Sequence, residues 1–401
     1  MKFLHTADWH LGRTISEYSL LSDQRHRLSQ LAECAQQEKV DAIVIAGDLY
    51  DRSVPSAQAV SLLDETLYHL TQTLGIPVLA IAGNHDSPQR LAFGSRMFCE
   101  SGLYICGEAS PELYRVTLTD QLGPVDFYLL PYFTCEQLRS WFPQQTIRSC
   151  NDAFQVLMQH NLDRIDPRRR NVLVAHGFYR AVGQQAAAQE AIFSESEISI
   201  GGSDLIDLKS ADIFDYIALG HLHAPQRAGE NARYSGSLLK YSVSEARQQK
   251  GFLLVELAEK GCSHSSLLSP APLRDLRSVK GTLEQLLEAN RPACCGSAPS
   301  EDYVAVTLTD KGAVLEAMAR LRDVFPNILG IRFAVRDEEK TASLSQLTRQ
   351  LLENHQSLSP LELFEDFYQQ IRQQPLTPQR RQLVEQIIKK LENDRETAGP
   401  K

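Results

Sequence analysis

Metal-type side chains follow five apolar, strand-like runs of this 401-residue chain. In chain order they are Asp8 and His10 in TADWHLG, Asp48 in AGDLYD, Asn84, His85 and Asp86 in AGNHDS, His176 in VAHG, and His221 and His223 in GHLH. Residues i and i+2 of an extended chain point to the same side, so each spaced pair faces one place. The carboxyl ends of strands form the ligand-binding edge of α/β sheets, so we expect these side chains to converge.

Without His85 and Asp86, the set contains two aspartates, one asparagine and four histidines. Seven ligands exceed what one ion can use, but they suit two ions that share one carboxylate. A ligand set of hard oxygen atoms and imidazole nitrogens, without thiolate, favours Mn²⁺ or Fe²⁺ and allows Zn²⁺. It argues against sites for Mg²⁺ or Ca²⁺ alone. Two ions roughly 3.5–4 Å apart bind a phosphate, lower the pKa of a bridging water and stabilise the attacking and leaving oxygens. The pattern therefore predicts phosphoester hydrolysis.

The elements that must position these residues follow from the apolar patterns. Strand-like runs at 2–6, 42–46 and 78–82 alternate with helical patterns near 22–38 and 56–74, which is a β-α-β-α-β opening. Further strands are predicted near 114–120, 125–131, 172–175, 216–219, 232–236 and 252–257. The strands predicted within residues 104–131 follow one another too closely for helices between them. Part of the sheet system is therefore predicted to be antiparallel. The prediction is an α/β fold with two packed β-sheets flanked by helices.

The pattern changes after about residue 270. Strand, helix, strand, helix and strand patterns between 272 and 335 predict a small α/β unit, and a polar linker then leads into helices. We therefore predict three parts: residues 1–265, which carry the metal ligands, a small α/β domain at 270–338, and a linker with amphipathic helices at 339–401.

The tail helices carry clear start signals. Ser359, Pro360 and Glu362 form a capping-box pattern, and Thr377-Pro378 repeats the cue. Two apolar stripes follow at helical spacing, formed by Leu361, Phe364, Tyr368 and Ile371, and by Leu383, Ile387 and Leu391. The residues alone leave two possibilities equally open, packing within the tail and docking into a partner's groove.

Composition sets the broad class. The chain is 43% hydrophobic and 23% charged, with a net charge of −9, which is typical of a globular protein. The acidic balance argues mildly against a protein that coats nucleic acid, but it does not exclude a nuclease, because bound metals reverse the local charge. No signal peptide or apolar stretch of roughly 18 residues is present, so we expect a cytoplasmic protein without a membrane contact. The eight cysteines form no CxxC pair and are predicted to be reduced.

The ordered set of motifs is far more specific than any one member. DxH…GD…GNHD…H…GHxH, each after a strand, resembles the calcineurin-like metallophosphoesterase superfamily, whose fold is a two-sheet sandwich flanked by helices. HTADWHLG, GDLYDRSVPS, GNHDSPQRL, ISIGGSDLI, YIALGHLHAPQ and RYSGSLLKYSVSEA narrow the resemblance to the SbcD family of nuclease subunits over residues 1–260. Leu238 departs from the proline of that pattern, outside the metal set.

The resemblance implies a role for each site residue. One ion is expected to be bound by Asp8, His10 and His223. The second is expected to be bound by Asn84, His176 and His221. Asp48 is expected to bind both ions. His85 is expected to lie beside the scissile phosphate, where it stabilises the transition state or protonates the leaving oxygen, and Asp86 to orient its ring. Mn²⁺ is the expected ion.

The resemblance also implies partners and a reaction. The chain is expected to act with an SbcC-type coiled-coil ATPase, bound through the C-terminal helices, and as a homodimer within a heterotetramer. Its reaction is expected to be exonucleolytic on double-stranded DNA ends and endonucleolytic on single strands and hairpins, in DNA repair, replication and recombination. A metal-bridging hydroxide attacks the phosphorus in line, and the small α/β domain caps the active site and contacts DNA.

Two other functions fit part of the pattern. A small-molecule phosphatase or phosphodiesterase needs the same metal ligands, although the length after residue 260 and the DxHLG opening argue against it. A non-catalytic DNA-repair scaffold that keeps its metal for structure has no need of His85.

Overall fold

The computed structural model describes residues 1–181, 205–289, 300–310 and 316–334, together with 361, 380–385 and 388. The chain divides into two compact units, Met1–Phe333 and Ala334–Lys401. The capping box and most of both stripes predicted for the tail lie outside the described residues, as do residues 311–315 within the predicted small α/β unit. Within the described ranges, no helix combines the length and apolar character that crossing a membrane requires.

Nineteen strands and eight α-helices are described. The strands are β1 (Lys2–Thr6), β2 (Thr14–Ile15), β3 (Tyr18–Ser19), β4 (Ala42–Ala46), β5 (Val78–Ile81), β6 (Leu103–Cys106), β7 (Tyr114–Asp120), β8 (Gly123–Leu130), β9 (Arg170–His176), β10 (Tyr179–Arg180), β11 (Ile206–Asp207), β12 (Tyr216–Gly220), β13 (Gln226–Arg227), β14 (Ala232–Tyr234), β15 (Phe252–Leu257), β16 (Ser263–Leu268), β17 (Leu276–Gly281), β18 (Tyr303–Leu308) and β19 (Asn327–Phe333). The helices are α1 (Leu21–Gln37), α2 (Ala57–Tyr68), α3 (Pro88–Leu91), α4 (Ser95–Phe98), α5 (Cys135–Trp141), α6 (Cys150–Asn161), α7 (Leu283–Ala289) and α8 (Ala317–Arg322).

Two six-stranded sheets form the centre of the first unit, which confirms the predicted two-sheet α/β sandwich. The first has the order β16-β15-β1-β4-β5-β6 and the second β13-β14-β12-β9-β8-β7. Four neighbouring strands of each are parallel, namely β1, β4, β5 and β6 in the first and β14, β12, β9 and β8 in the second. Antiparallel strands flank them, as the short 104–131 spacing predicted.

The sheets pack face to face through a continuous apolar layer. Phe3, Val44, Phe127, Val174 and Tyr216 belong to this layer. The outer face of the first sheet is covered by α1 and α2, and that of the second by α5 and α6. Central strands such as β4 are buried on both faces, which is why they appear in the sequence as unbroken apolar runs rather than alternating ones.

The expectation that all cysteines are reduced is wrong for one pair. Cys135 and Cys150 are the first residues of α5 and α6, and a disulfide joins them. Thr134 and Ser149 cap these helices with capping boxes, so each helix begins at its cysteine. The sequence separates the two cysteines by 15 positions, so no local motif marked the pair.

The parallel sheet β17-β18-β19 and the helices α7 and α8 follow residue 270 and belong to the first compact unit. Their own apolar cluster includes Val304, Leu321 and Phe325. Arg274 and Tyr303 connect them to α1, because both bind the carboxylate of Asp23, at 2.7 and 3.0 Å. Asp23 is 1% exposed, so this ionic contact is a buried one.

Candidate metal centre

The carboxyl ends of five parallel strands meet at one edge of the sandwich. β1, β4 and β5 of the first sheet lead into Asp8, Asp48 and Asn84, and β9 and β12 of the second lead into His176 and His221. The predicted convergence of these ligands is therefore a property of the fold, although the prediction did not assign the strands to sheets.

The backbone of several ligands lies in the left-handed region. Asp8, His10 and Asp48 have φ of 53°, 45° and 53°, and His221 has φ of 109°. Such values cost free energy in residues other than glycine and persist where the surrounding contacts enforce them. Here the amide of His10 donates to the Asp48 carbonyl, and that of His221 to the Asp8 carboxylate, so the loops hold each other.

One group of imidazole nitrogens lies between β1 and the loop after β12. The Nε2 atoms of His10 and His223 are 3.2 Å apart, and the Nε2 of His10 is 3.7 Å from an oxygen of Asp48. Two ligand atoms that each lie roughly 2.1 Å from one ion are separated by about 3 Å, so the distance between the two Nε2 atoms is compatible with a shared ion.

A second group surrounds the amide oxygen of Asn84. That oxygen is 2.9 Å from the Nε2 of His176 and 3.2 Å from the Nδ1 of His221. The Nδ1 of His176 donates to the carbonyl of Ala46 at 2.8 Å, which leaves its Nε2 lone pair facing the site.

Asp48 lies between the two groups. One of its carboxylate oxygens is 3.7 Å from the Nε2 of His10 and 3.5 Å from that of His176. The other oxygen accepts the backbone N–H of His85 at 2.8 Å. A carboxylate in this position can contact an ion in either group.

Without a metal ion, protons must balance the buried carboxylates of the site. Asp8 and Asp48 are 0% and 2% exposed, and burial raises the pKa of the Asp8 carboxyl to about 7. Burial also opposes ionisation of Asp48, but the facing His176 ring holds the pKa of Asp48 well below its usual range. Against burial, Asp48 in turn raises the pKa of His176 to about 9. A divalent ion replaces such a proton between buried ligands, so the residues fit a metal.

The ring of His85 lies beside these ligands, with its centroid 4.8 Å from that of His10. The Nδ1 of His85 lies 3.0 Å from the backbone carbonyl of Asp51. A carbonyl only accepts, so Nδ1 carries the proton and Nε2 is left for a substrate. The Asp51 carboxylate is paired with Arg13 at 2.9 Å.

The expectation that Asp86 orients the His85 ring is wrong. The Asp86 carboxylate accepts the backbone N–H groups of Leu49, Tyr50 and Gly83 at 2.9–3.1 Å. It therefore ties the loop after β4 to the loop after β5. Although Asp86 follows His85 in sequence, its carboxylate is directed at these three backbone N–H groups.

Glycines provide the space for the ligands. A Cβ on Gly83 would lie 2.1 Å from the Asp48 carboxylate, and one on Gly47 would lie 2.3 Å from the His176 ring. The sequence showed that glycines often accompany the ligands, but no role was predicted for them.

No role was predicted for Glu245 either, although its carboxylate lies 3.0 Å from the Nδ1 of His223. The sequence feature that could have drawn attention to Glu245 is its position in the motif RYSGSLLKYSVSEA.

The two-sheet fold and its strand-end ligands define a calcineurin-like metallophosphoesterase. The family model described as calcineurin-like phosphoesterase matches residues 1–225, and one described as type 5 capsule protein repressor C-terminal domain matches residues 272–372. The chain belongs to the SbcD family of nuclease subunits.

Two curated relatives carry that family assignment. One, the SbcD subunit of the nuclease SbcCD from Staphylococcus epidermidis, is 32% identical over 94% of this chain and 95% of its own. The other, the subunit of the same name from Staphylococcus saprophyticus, is 32% identical over 97% of this chain and 98% of its own. The chain is accordingly a metal-dependent phosphoesterase.

Proposed function

We propose that this chain is the two-metal DNA nuclease subunit of an SbcCD-type complex, an exonuclease on double-stranded ends and an endonuclease on single strands and hairpins. The observation that carries the proposal is the position of Asp48 between two groups of ligands, with the His85 ring beside it. The names of the relatives supply the nuclease class and the complex.

Seven residues would hold the ions, with Mn²⁺ as the proposed species. Asp8, His10 and His223 form one proposed set, Asn84, His176 and His221 the other, and Asp48 the shared ligand. When bound, two such ions neutralise phosphate charge and acidify an attacking water. Oxygen and imidazole donors without thiolate support Mn²⁺ over softer-ligand metals.

The remaining chemistry belongs to His85. Its backbone is fixed by Asp48 and its ring by the Asp51 carbonyl, so Nε2 is presented in one orientation. A phosphodiester bound over Asp48 places its leaving oxygen near this nitrogen. For this role the ring must carry a proton on Nε2 as well as on Nδ1; this imidazolium then donates its Nε2 proton to the leaving oxygen or stabilises the charge that develops on it, a contribution of about 10²–10⁴-fold, and it is left as the neutral ring with its proton on Nδ1.

The proposed partners rest on the family and on exposed surface. The tail, which the match to the second family model covers as far as residue 372, is proposed to bind the SbcC-type ATPase. Homodimerisation is proposed through the nuclease domain, where Phe93 and Met97 are 83% and 77% exposed. A cytoplasmic location, and capping of the site by the small α/β domain, complete the proposal.

His85→Gln tests the reaction. The full chain with Mn²⁺ is incubated with a hairpin-ended duplex and with p-nitrophenyl phosphate, with and without the SbcC-type ATPase and ATP. We expect DNA cleavage that falls at least 100-fold in His85→Gln, while bound Mn²⁺ and the exposed-surface control His69→Gln stay unchanged. Turnover of the small ester alone would favour the phosphatase, and turnover of neither would favour the scaffold.

Truncation near residue 340 tests the partner. Because the predicted docking helices follow this point, the shortened chain should still bind Mn²⁺ and hydrolyse a small phosphodiester, but it should lose binding to the ATPase in a pull-down or by calorimetry. Binding of equal strength by the shortened chain would remove the tail from the interface.

A further inference from the structure

Glu245 is a buried carboxylate beside the metal ligands but outside their set. It ends a short 3₁₀ turn, Val243–Glu245, and is 0% exposed. One oxygen lies 3.0 Å from the Nδ1 of His223. The other accepts Lys250 Nζ at 2.6 Å and the backbone N–H of Tyr241 at 3.2 Å. Its position is therefore fixed from both sides.

The contact determines how His223 presents itself. An ionised carboxylate only accepts, so the proton of the neutral ring is on Nδ1 and the Nε2 lone pair faces the Nε2 of His10, 3.2 Å away. The corresponding contact of the His176 Nδ1 is with a neutral carbonyl, that of Ala46. Of these two Nδ1 atoms, only that of His223 has an anionic partner, which makes its imidazole the more basic one.

Lys250 completes the arrangement. Its ammonium binds Glu245 and also donates to the backbone carbonyl of His223 at 2.6 Å. It thereby balances the charge of the carboxylate and holds the ligand's main chain. Both Glu245 and Lys250 lie on the short segment after Tyr241, so one stretch of sequence positions the ring and the backbone of His223.

We propose that Glu245 is a positioning residue that sets the affinity of the ion held by His10 and His223. Its carboxylate fixes the tautomer of His223 and strengthens the ring as a ligand, and Lys250 keeps the carboxylate in place. Outer carboxylates of this kind contribute about 10- to 100-fold to metal affinity. The inference rests on the proposed two-ion site.

The test measures Mn²⁺ binding rather than turnover. Glu245→Leu is compared with the wild type by calorimetry and by electron paramagnetic resonance, in which two coupled Mn²⁺ ions give a signal different from that of one. We expect one of the two sites to weaken about 10- to 100-fold, so that a single-ion signal appears at intermediate Mn²⁺. Glu245→Gln keeps an oxygen acceptor for Nδ1 and should recover part of the loss.

A double variant separates positioning from stability. Glu245→Leu alone leaves Lys250 buried without its carboxylate, which destabilises the fold. In Glu245→Leu with Lys250→Met both charges are gone, so thermal stability should recover while the affinity of that site stays low. Affinity that recovers together with stability would overturn the proposal, as would an unchanged affinity in Glu245→Leu. If the wild type binds no Mn²⁺, the proposed two-ion site is wrong. That result differs from both outcomes that would overturn the role of Glu245.

Discussion

Gly83→Ala tests whether the spacing of the two ligand groups depends on backbone contact. A Cβ at this position would lie 2.1 Å from the Asp48 carboxylate oxygen and 2.4 Å from the Asp48 backbone nitrogen, whereas ordinary contacts begin at 3.4 Å. The backbone angles of Gly83 are outside the left-handed region, so alanine is not disfavoured by conformation. The clash alone must displace Asp48, the proposed shared ligand, by about 1 Å.

A displacement of that size has a predictable cost. Misplacing a catalytic group by about 1 Å reduces the rate by about 100-fold, which corresponds to about 2.7 kcal/mol of transition-state stabilisation. We therefore expect kcat/KM for bis-p-nitrophenyl phosphate to fall by about 100-fold. The assay is run across a range of Mn²⁺ concentrations, so that weaker metal binding is separated from a misplaced ligand.

Gly330→Ala is the matched control. Gly330 lies in β19, its added Cβ would meet no atom within 4 Å, and its φ is also outside the left-handed region. This variant should retain wild-type activity and Mn²⁺ affinity. Wild-type kinetics in Gly83→Ala would show that the loop after β5 moves freely, and the reasoning from its tight packing against Asp48 would then be wrong.

Two further predictions concern structural carboxylates. Asp120→Asn leaves the buried Arg170 guanidinium without its anionic partner and should lower the free energy of unfolding by about 1–3 kcal/mol at neutral pH. Arg170 holds the pKa of Asp120 below its usual range, so this contribution is complete above about pH 4 and is lost as the pH falls through the lowered value. Melting temperatures of variant and wild type should converge in acid, and a constant difference would contradict the assignment. Asp86→Ala removes the acceptor that joins two ligand loops and should weaken Mn²⁺ binding about 10-fold or more by calorimetry; unchanged affinity would contradict this role.

The strands and the ligand positions could be predicted because their signals are local. β7 and β15 begin and end where the apolar patterns placed them, and fully buried strands such as β4 are unmistakable as unbroken apolar runs. The site residues follow strand ends, and the parallel arrangement brings those ends together within each sheet. The sequence did not assign the strands to the two sheets, whose packing against each other then brings both groups to one place. How the ligands divide between two ions stays a prediction from the family.

The contacts that support the ligands could not be predicted. Asp86 is adjacent to His85 in sequence, yet it binds the amides of a loop 37 positions away. Glu245 is 22 positions from His223, and only the path of the intervening chain brings the two into contact. The same holds for the disulfide between α5 and α6. Residue types show which groups can interact, but tertiary loop geometry decides which pairs meet.

The left-handed backbone at Asp8, His10, Asp48 and His221 links metal supply to the lifetime of the protein. Each such residue is costly on its own, by about 1–2 kcal/mol, so an unfolded chain rarely holds several at once. A divalent ion at this site therefore binds the folded chain far better than the unfolded one, and it adds to the stability of the folded chain as the concentration of the ion rises. A cell short of the ion would lose the protein itself to proteolysis of the unfolded fraction, as well as its activity.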